Sequence, residues 1–353
     1  MDDLNEIGYE YSNVFLGFSA KLTTATLNHL ITMNDTIDMI TEDGIARGSY
    51  IKETDACVNQ PISQRGLWGL RRISRSGCGL GNNQNYEYDT NGGAGVTCYV
   101  LDSGIRITHN EFEGRAGSGV RCENQNSCRQ TTGNTDDNGH GTHVASTIAG
   151  KTYGVAKKAK LVSVKVLASN NQGSWAGIIA GIDWIAANAR QGDTVNMSIY
   201  GGANSAVDSA VNRAVSRNIF FAICAGNDNG DACRNSPARA SSSYTVASIQ
   251  ETSGTTSDTR SSFSDTGSCV DIYGPGTSVL GAWYNGNTAT ATLSGTSMAT
   301  PHVCGFATII SAKSGGLTPN QIKSQIDGTA SKGCMSNPGY PGSPNAILYA
   351  PCT

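Results

Sequence analysis

Apolar residues fall along the chain in runs of strand length. Val96 to Leu101, Leu161 to Leu167, Thr194 to Ile199, Ile219 to Cys224 and Tyr244 to Ile249 show little polar alternation. Between these runs the spacing becomes helical, most clearly at Ile178, Ile179, Ile182, Trp184 and Ile185, and again from Ala206 to Val215. A strand with one wet face alternates apolar and polar side chains, whereas one without alternation is covered on both faces. Such strands separated by helices predict an α/β fold, a doubly wound parallel sheet with helices on both faces. Ligands of these sheets bind beyond the carboxyl ends of the strands, so residues just after each apolar run are the candidates for chemistry.

The start of the chain has a different pattern. Val14 to Ala20 predicts a strand, Leu22, Leu27, Leu30 and Ile31 give a short helix its apolar face, and Thr36 to Ile40 predicts a second strand. So few elements make a poor core alone. From Gly44 to Arg65 no period is sustained, which predicts a linker or cleavage region. Ser241 to Ser243 and Thr252 to Ser264 are polar enough for loops, and neither an internal repeat nor a low-complexity tract is present.

Composition narrows the class. The chain has 353 residues, 38% hydrophobic and only 15% charged, with 43 glycines in no Gly-X-Y period, which excludes collagen and a charged disordered tail. No apolar run approaches the ~20 residues of a membrane helix. The net charge of −3 is too weak to argue for nucleic acid or a membrane surface as partner. Its distribution is uneven, with −6 in residues 1–50 and +3 in the remainder, so two units of opposite sign are expected. The 11 cysteines suggest an oxidising compartment, and their odd number requires a free thiol or an intermolecular bond. Asp2, Asp3, Leu4 and Asn5 after Met1 do not form a secretion signal.

Four short segments carry chemistry. Val100-Leu101-Asp102-Ser103-Gly104 places a carboxylate where a buried strand ends. Asn138-Gly139-His140-Gly141-Thr142-His143 places a histidine in a glycine-flanked turn that opens an apolar helix, Val144 to Ala149. Ser294-Gly295-Thr296-Ser297-Met298-Ala299-Thr300-Pro301 puts a serine at the start of another helix, where backbone N–H groups favour negative charge. Ala225-Gly226-Asn227 follows a buried strand and offers a side-chain N–H to a developing oxyanion. Singly, an aspartate after a strand is a turn or cap and a glycine-flanked serine is a loop residue. Together they supply an acid, a base, a nucleophile and an oxyanion donor. The order acid, histidine, serine differs from that of α/β-hydrolases, and Gly-Thr-Ser-Met-Ala lacks the second glycine of the esterase elbow. A catalytically silent peptide-binding relative and an esterase remain the alternatives.

These segments, with Trp68-Gly69-Leu70, Thr152 to Ala156 and Phe263 to Gly276, resemble the signatures of the subtilisin-like serine proteases, in particular the proteinase K branch. The resemblance runs from about residue 61 to the end and implies a peptidase domain over 61–353. It implies a secreted serine endopeptidase with Asp102 as orienting acid, His140 as general base and Ser297 as nucleophile. Asn227 and the Ser297 N–H would form the oxyanion hole. Residues 9–47 resemble the family's inhibitory propeptide, beginning partway through it, with a maturation region at 48–60 and a cut between Arg47 and Pro61. A partial α+β propeptide over 1–47 is therefore expected, on a precursor that extends upstream of Met1 to its signal.

The resemblance also implies protein or peptide substrates, the chain's own propeptide as inhibitor, a monomer and no organic cofactor. Substrate would lie between one edge holding Asn171, Gly173 and Trp175 and another holding Ser198, Ile199 and Tyr200, with Cys224 and Gly226 on the specificity wall. Asn171 and Tyr200 stand where glycines are usual, and Cys224 where alanine is. Structural calcium (Ca2+) is implied at Asp271, with the carbonyls of Ser241 and Ser243. Cys233 with Cys269 matches a disulfide of some relatives. Further candidate pairs are Cys122 with Cys128, Cys334 with Cys352 and Cys57 with Cys78, which would leave Cys98, Cys224 and Cys304 as buried thiols. The His140-x-x-His143 pair lacks the glutamate of a zinc protease motif, so His143 and His302 are expected to be structural.

Overall fold

The computed structural model describes residues 5–11, 17–33, 35–37, 39–40, 57–123, 128–252 and 256–352. The chain divides into two compact units, Met1–Glu53 and Thr54–Thr353.

In the first unit, strands Glu6–Tyr11 and Gly17–Lys21 pair antiparallel and precede a helix, Thr24–Ile31. Thr23 caps that helix by accepting the Thr26 N–H. The strand expected at Thr36 to Ile40 does not form, because Thr36 and Ile37 both donate backbone N–H groups to the Met33 carbonyl and close a turn. None of the described side chains of this unit is buried, in keeping with its few elements.

The second unit begins earlier than expected. Cys57–Pro61, read from sequence as linker, is a strand paired antiparallel with Asn85–Asp89. Residues 41–56, which include the earlier part of that region, lie outside the described residues. The main sheet has seven parallel strands, which we number β1 (Thr97–Asp102), β2 (Ala116–Arg121), β3 (Lys160–Lys165), β4 (Thr194–Met197), β5 (Phe220–Cys224), β6 (Tyr244–Gln250) and β7 (Ile272–Pro275). Their order is β7-β6-β5-β4-β1-β3-β2, with shorter strands at the edges. Each predicted apolar run is one of these strands. Order reverses at β1, and the crevice above such a reversal is where doubly wound sheets bind ligands.

Six helices of this unit are α1 (Trp68–Ile73), α2 (His140–Ala149), α3 (Trp175–Asn188), α4 (Ser205–Val215), α5 (Thr296–Lys313) and α6 (Pro319–Thr329). Strand side chains alternate between faces. Cys98 and Val100 of β1 pack with α2 and α5, while Tyr99 and Leu101 pack with α3 and α4. The same period sends Asp102 to the side of α2 and α5, the helices that carry His140 and Ser297.

Four disulfides staple the unit. Cys233–Cys269 and Cys122–Cys128 form as expected. The two remaining pairs are exchanged: Cys57 joins Cys352 and Cys78 joins Cys334. The reason is the path of the C-terminal segment. The Ser331 hydroxyl donates to the Ser76 carbonyl, which brings Cys334 to Cys78, and the Ala350 N–H donates to the Ile73 carbonyl, which carries Cys352 towards Cys57. Cys98, Cys224 and Cys304 are free and buried, with the Cys98 and Cys304 sulfurs 3.2 Å apart.

Candidate active site

Asp102 ends β1 and is fully buried, at 0% exposure. Its Oδ1 accepts the Ser103 N–H at 2.7 Å and lies 2.7 Å from His140 Nδ1. His140 reaches this position because the start of α2 runs against the loop after β1. A Cβ on Gly141 would stand 2.2 Å from the Gly104 carbonyl oxygen, so only glycine fits the crossing. Gly139, the residue before the helix, has φ +115°, a conformation open to glycine at little cost.

Asp136, which sequence reading did not single out, organises this turn. It accepts backbone N–H groups from Asn138, Gly139 and Thr142 and the hydroxyl of Ser103. The available signal was an aspartate in a polar Thr-Asp-Asp-Asn-Gly turn just before the histidine. Burial pulls the His140 imidazole down, but the charge and hydrogen bond of Asp102 and the charge of Asp136 outweigh it and leave the group above its ordinary range.

Ser297 lies in the first turn of α5, 7% exposed, and its hydroxyl donates to the Ser198 carbonyl at 3.3 Å. The Ser297 N–H belongs to the helix start, where backbone donors lack intrahelical acceptors. Asn227 follows β5. Its Oδ1 accepts both the backbone N–H and the hydroxyl of Thr296, at 2.8 and 3.0 Å, which fixes the Nδ2 end as the outward donor. A carbon placed on Gly295 would lie 3.6 Å from Asn227 Nδ2 and from the Ser297 nitrogen alike. The two donors thus border one open spot beside the serine.

His140, Asn227 and Ser297 line a cleft of about 620 Å³. Asn171, Gly173 and Trp175 border it on one side and Ser198, Ile199 and Tyr200 on the other. Asn171 has φ +60°, a left-handed conformation that asparagine tolerates, so the turn survives loss of glycine. Cys224 and Gly226 are not on the cleft wall. Both are buried behind it, where the Cys224 thiol contacts the Thr296 and Ser297 side chains and burial pushes it up to about 12. Tyr200 borders the cleft beside Ser198 and Ile199.

A profile of the subtilase family matches residues 93–346. The chain belongs to the subtilase family. It is 42% identical over 334 residues to the alkaline serine exoprotease A of Vibrio alginolyticus, covering 95% of this chain and 58% of that protein. It is 42% identical to the extracellular serine proteinase of a Thermus species, over 86% of this chain and 71% of that one. The cuticle-degrading protease of Metarhizium anisopliae is 39% identical over 97% and 82%. Among solved structures, a cold adapted subtilisin-like serine proteinase matches with a TM-score of 0.73 and 43% identity, over 81% of this chain and 98% of that one.

His143 of α2 and His302 of α5 are structural. His143 Nε2 meets the Val279 carbonyl and His302 Nδ1 the Met298 carbonyl, and burial lowers both to about 4, so they stay neutral. The calcium position implied by resemblance does not fit a calcium ion. Asp271 accepts the Thr245 N–H at 2.6 Å, and the Lys323 ammonium donates to the Ser243 carbonyl at 2.7 Å, on the oxygen the ion would use. The described residues contain no group of three or more His, Cys, Asp or Glu able to hold a metal.

Proposed function

We propose that the second unit hydrolyses peptide bonds through Asp102, His140 and Ser297. The observation that carries this reading is the Asp102–His140 contact at 2.7 Å, in a cleft that also holds Ser297 and the Asn227 amide. Asp102 holds the Nδ1–H, so Nε2 is the basic nitrogen. His140 takes the proton from Ser297 Oγ as it attacks the scissile carbonyl. Negative charge gathers on the carbonyl oxygen, which the Ser297 N–H and Asn227 Nδ2 receive. His140 then protonates the leaving amine, and water enters by the same route to release the acyl group from Ser297.

An extended peptide fits between the segments at Asn171–Trp175 and Ser198–Gly202, held by main-chain hydrogen bonds as an added strand. The four disulfides and the extracellular relatives support secretion. The acidic first unit is read as the inhibitor of the second, a zymogen arrangement in a monomeric enzyme, with maturation ahead of Cys57.

A serine-directed phosphonyl fluoride probe tests the reading. Label on Ser297 that is lost in Ser297→Ala, together with cleavage of an unstructured protein, is expected. Label without peptide cleavage would mark an esterase, and absence of label a silent peptide-binding relative.

A further inference from the structure

Helix α6 carries one cation, Lys323, to the loop that enters β6. Lys323 Nζ donates to the Ser243 carbonyl at 2.7 Å and lies 6.0 Å from the centre of the Tyr244 ring. Asp271 and Asp327 are the charges that face it. Asp327 accepts the Tyr244 hydroxyl at 2.5 Å, and Asp271 accepts the Thr245 N–H. Thus α6 meets the loop entering β6 through this ammonium, with Asp271 and Asp327 as the opposite charges nearby.

We infer that the Lys323 ammonium replaces the calcium ion expected at Asp271, Ser241 and Ser243, serving as a tethered cation that joins α6 to the ends of β6 and β7. Calcium binds carbonyl oxygen at about 2.3–2.6 Å. An ion on the Ser243 oxygen would share that acceptor with the ammonium already held at 2.7 Å, and their like charges oppose one another. The two solutions differ in kind. An ion is lost to chelators and must be ordered from solution, whereas the lysine is part of the helix and cannot dissociate.

The test uses thermal unfolding in millimolar calcium against chelator, with every variant built on Ser297→Ala so that self-digestion does not contribute. With Lys323 present, Asp271→Asn is expected to leave any calcium response unchanged. Lys323→Ser is expected to unfold at a lower temperature in chelator and to gain a calcium-dependent rise of about 5 °C. Adding Asp271→Asn to Lys323→Ser should abolish that gain. Lys323→Gln, which keeps most of the side-chain stem, serves if the serine variant does not fold. Loss of a calcium response on Asp271→Asn with Lys323 intact would overturn the inference, and that arm needs no lysine variant. So would a Lys323 variant whose calcium response equals that of the parent.

Discussion

Asn227 takes the backbone N–H of Thr296 on its carbonyl oxygen, so the residue beside the serine sets which end of the amide faces the cleft. Its Nδ2 is committed before substrate arrives. Such a donor acts on charge that exists only in the transition state. Asn227→Ala is therefore expected to lower kcat by roughly 10²–10³ with little change in KM, measured by steady-state kinetics on a peptide substrate. An unchanged kcat would remove Asn227 from the mechanism.

The raised His140 gives a pH dependence with a definite sign. The base must be neutral, so kcat/KM falls as pH drops through its value, and the acid limb should lie above the ordinary histidine range of about 6.5. Asp136 contributes to the rise by charge alone, without touching the imidazole. In Asp136→Asn the acid limb should move to lower pH. A purely structural role would lower activity without displacing the limb, which a pH profile distinguishes.

Tyr200 bears on substrate choice. It borders the cleft with Ser198, and on the proposed substrate path its ring takes room from the side chain before the scissile bond. Small side chains are expected there, and Tyr200→Gly should raise kcat/KM for Phe or Leu by about 10-fold or more. Cleavage of a peptide library by the two enzymes provides the measurement. Equal preference in both would show that Tyr200 turns away from bound substrate.

Cys57–Cys352 closes a loop of 295 residues. Removing it with Cys57→Ser and Cys352→Ser is expected to cost about 2–4 kcal/mol of stability. The denaturation temperature should fall by roughly 5–10 °C while kcat, set at a distant cleft, stays unchanged. A calorimetric scan with parallel kinetics separates the two effects.

The sheet was legible because its strands are apolar on both faces, and the proposed acid, base and nucleophile because short glycine-rich turns surround them. Pairings between distant segments were not legible. Cys334 lies nearer in sequence to Cys352 than to Cys78, and only the hydrogen bonds at Ser76 and Ile73 show why it joins Cys78. Lys323 was hidden for a similar reason. A lysine on a polar helix face looks solvated until the Ser243 carbonyl is found beneath it. Asp136 escaped notice since a turn aspartate has the same spelling whether it caps a loop or charges a histidine. Cys224 and Gly226 were expected on the wall from the family resemblance, but both are buried and it is Tyr200 that borders the cleft.

A peptidase in its own solution meets copies of itself, and digestion of a folded protein begins where chain ends fray. The bridge from Cys57 to Cys352 fastens the first strand of the second unit to its last residues. Neither of these two segments can then peel away alone to thread into a neighbour's cleft. Self-digestion is therefore expected to start in surface loops before it reaches either segment.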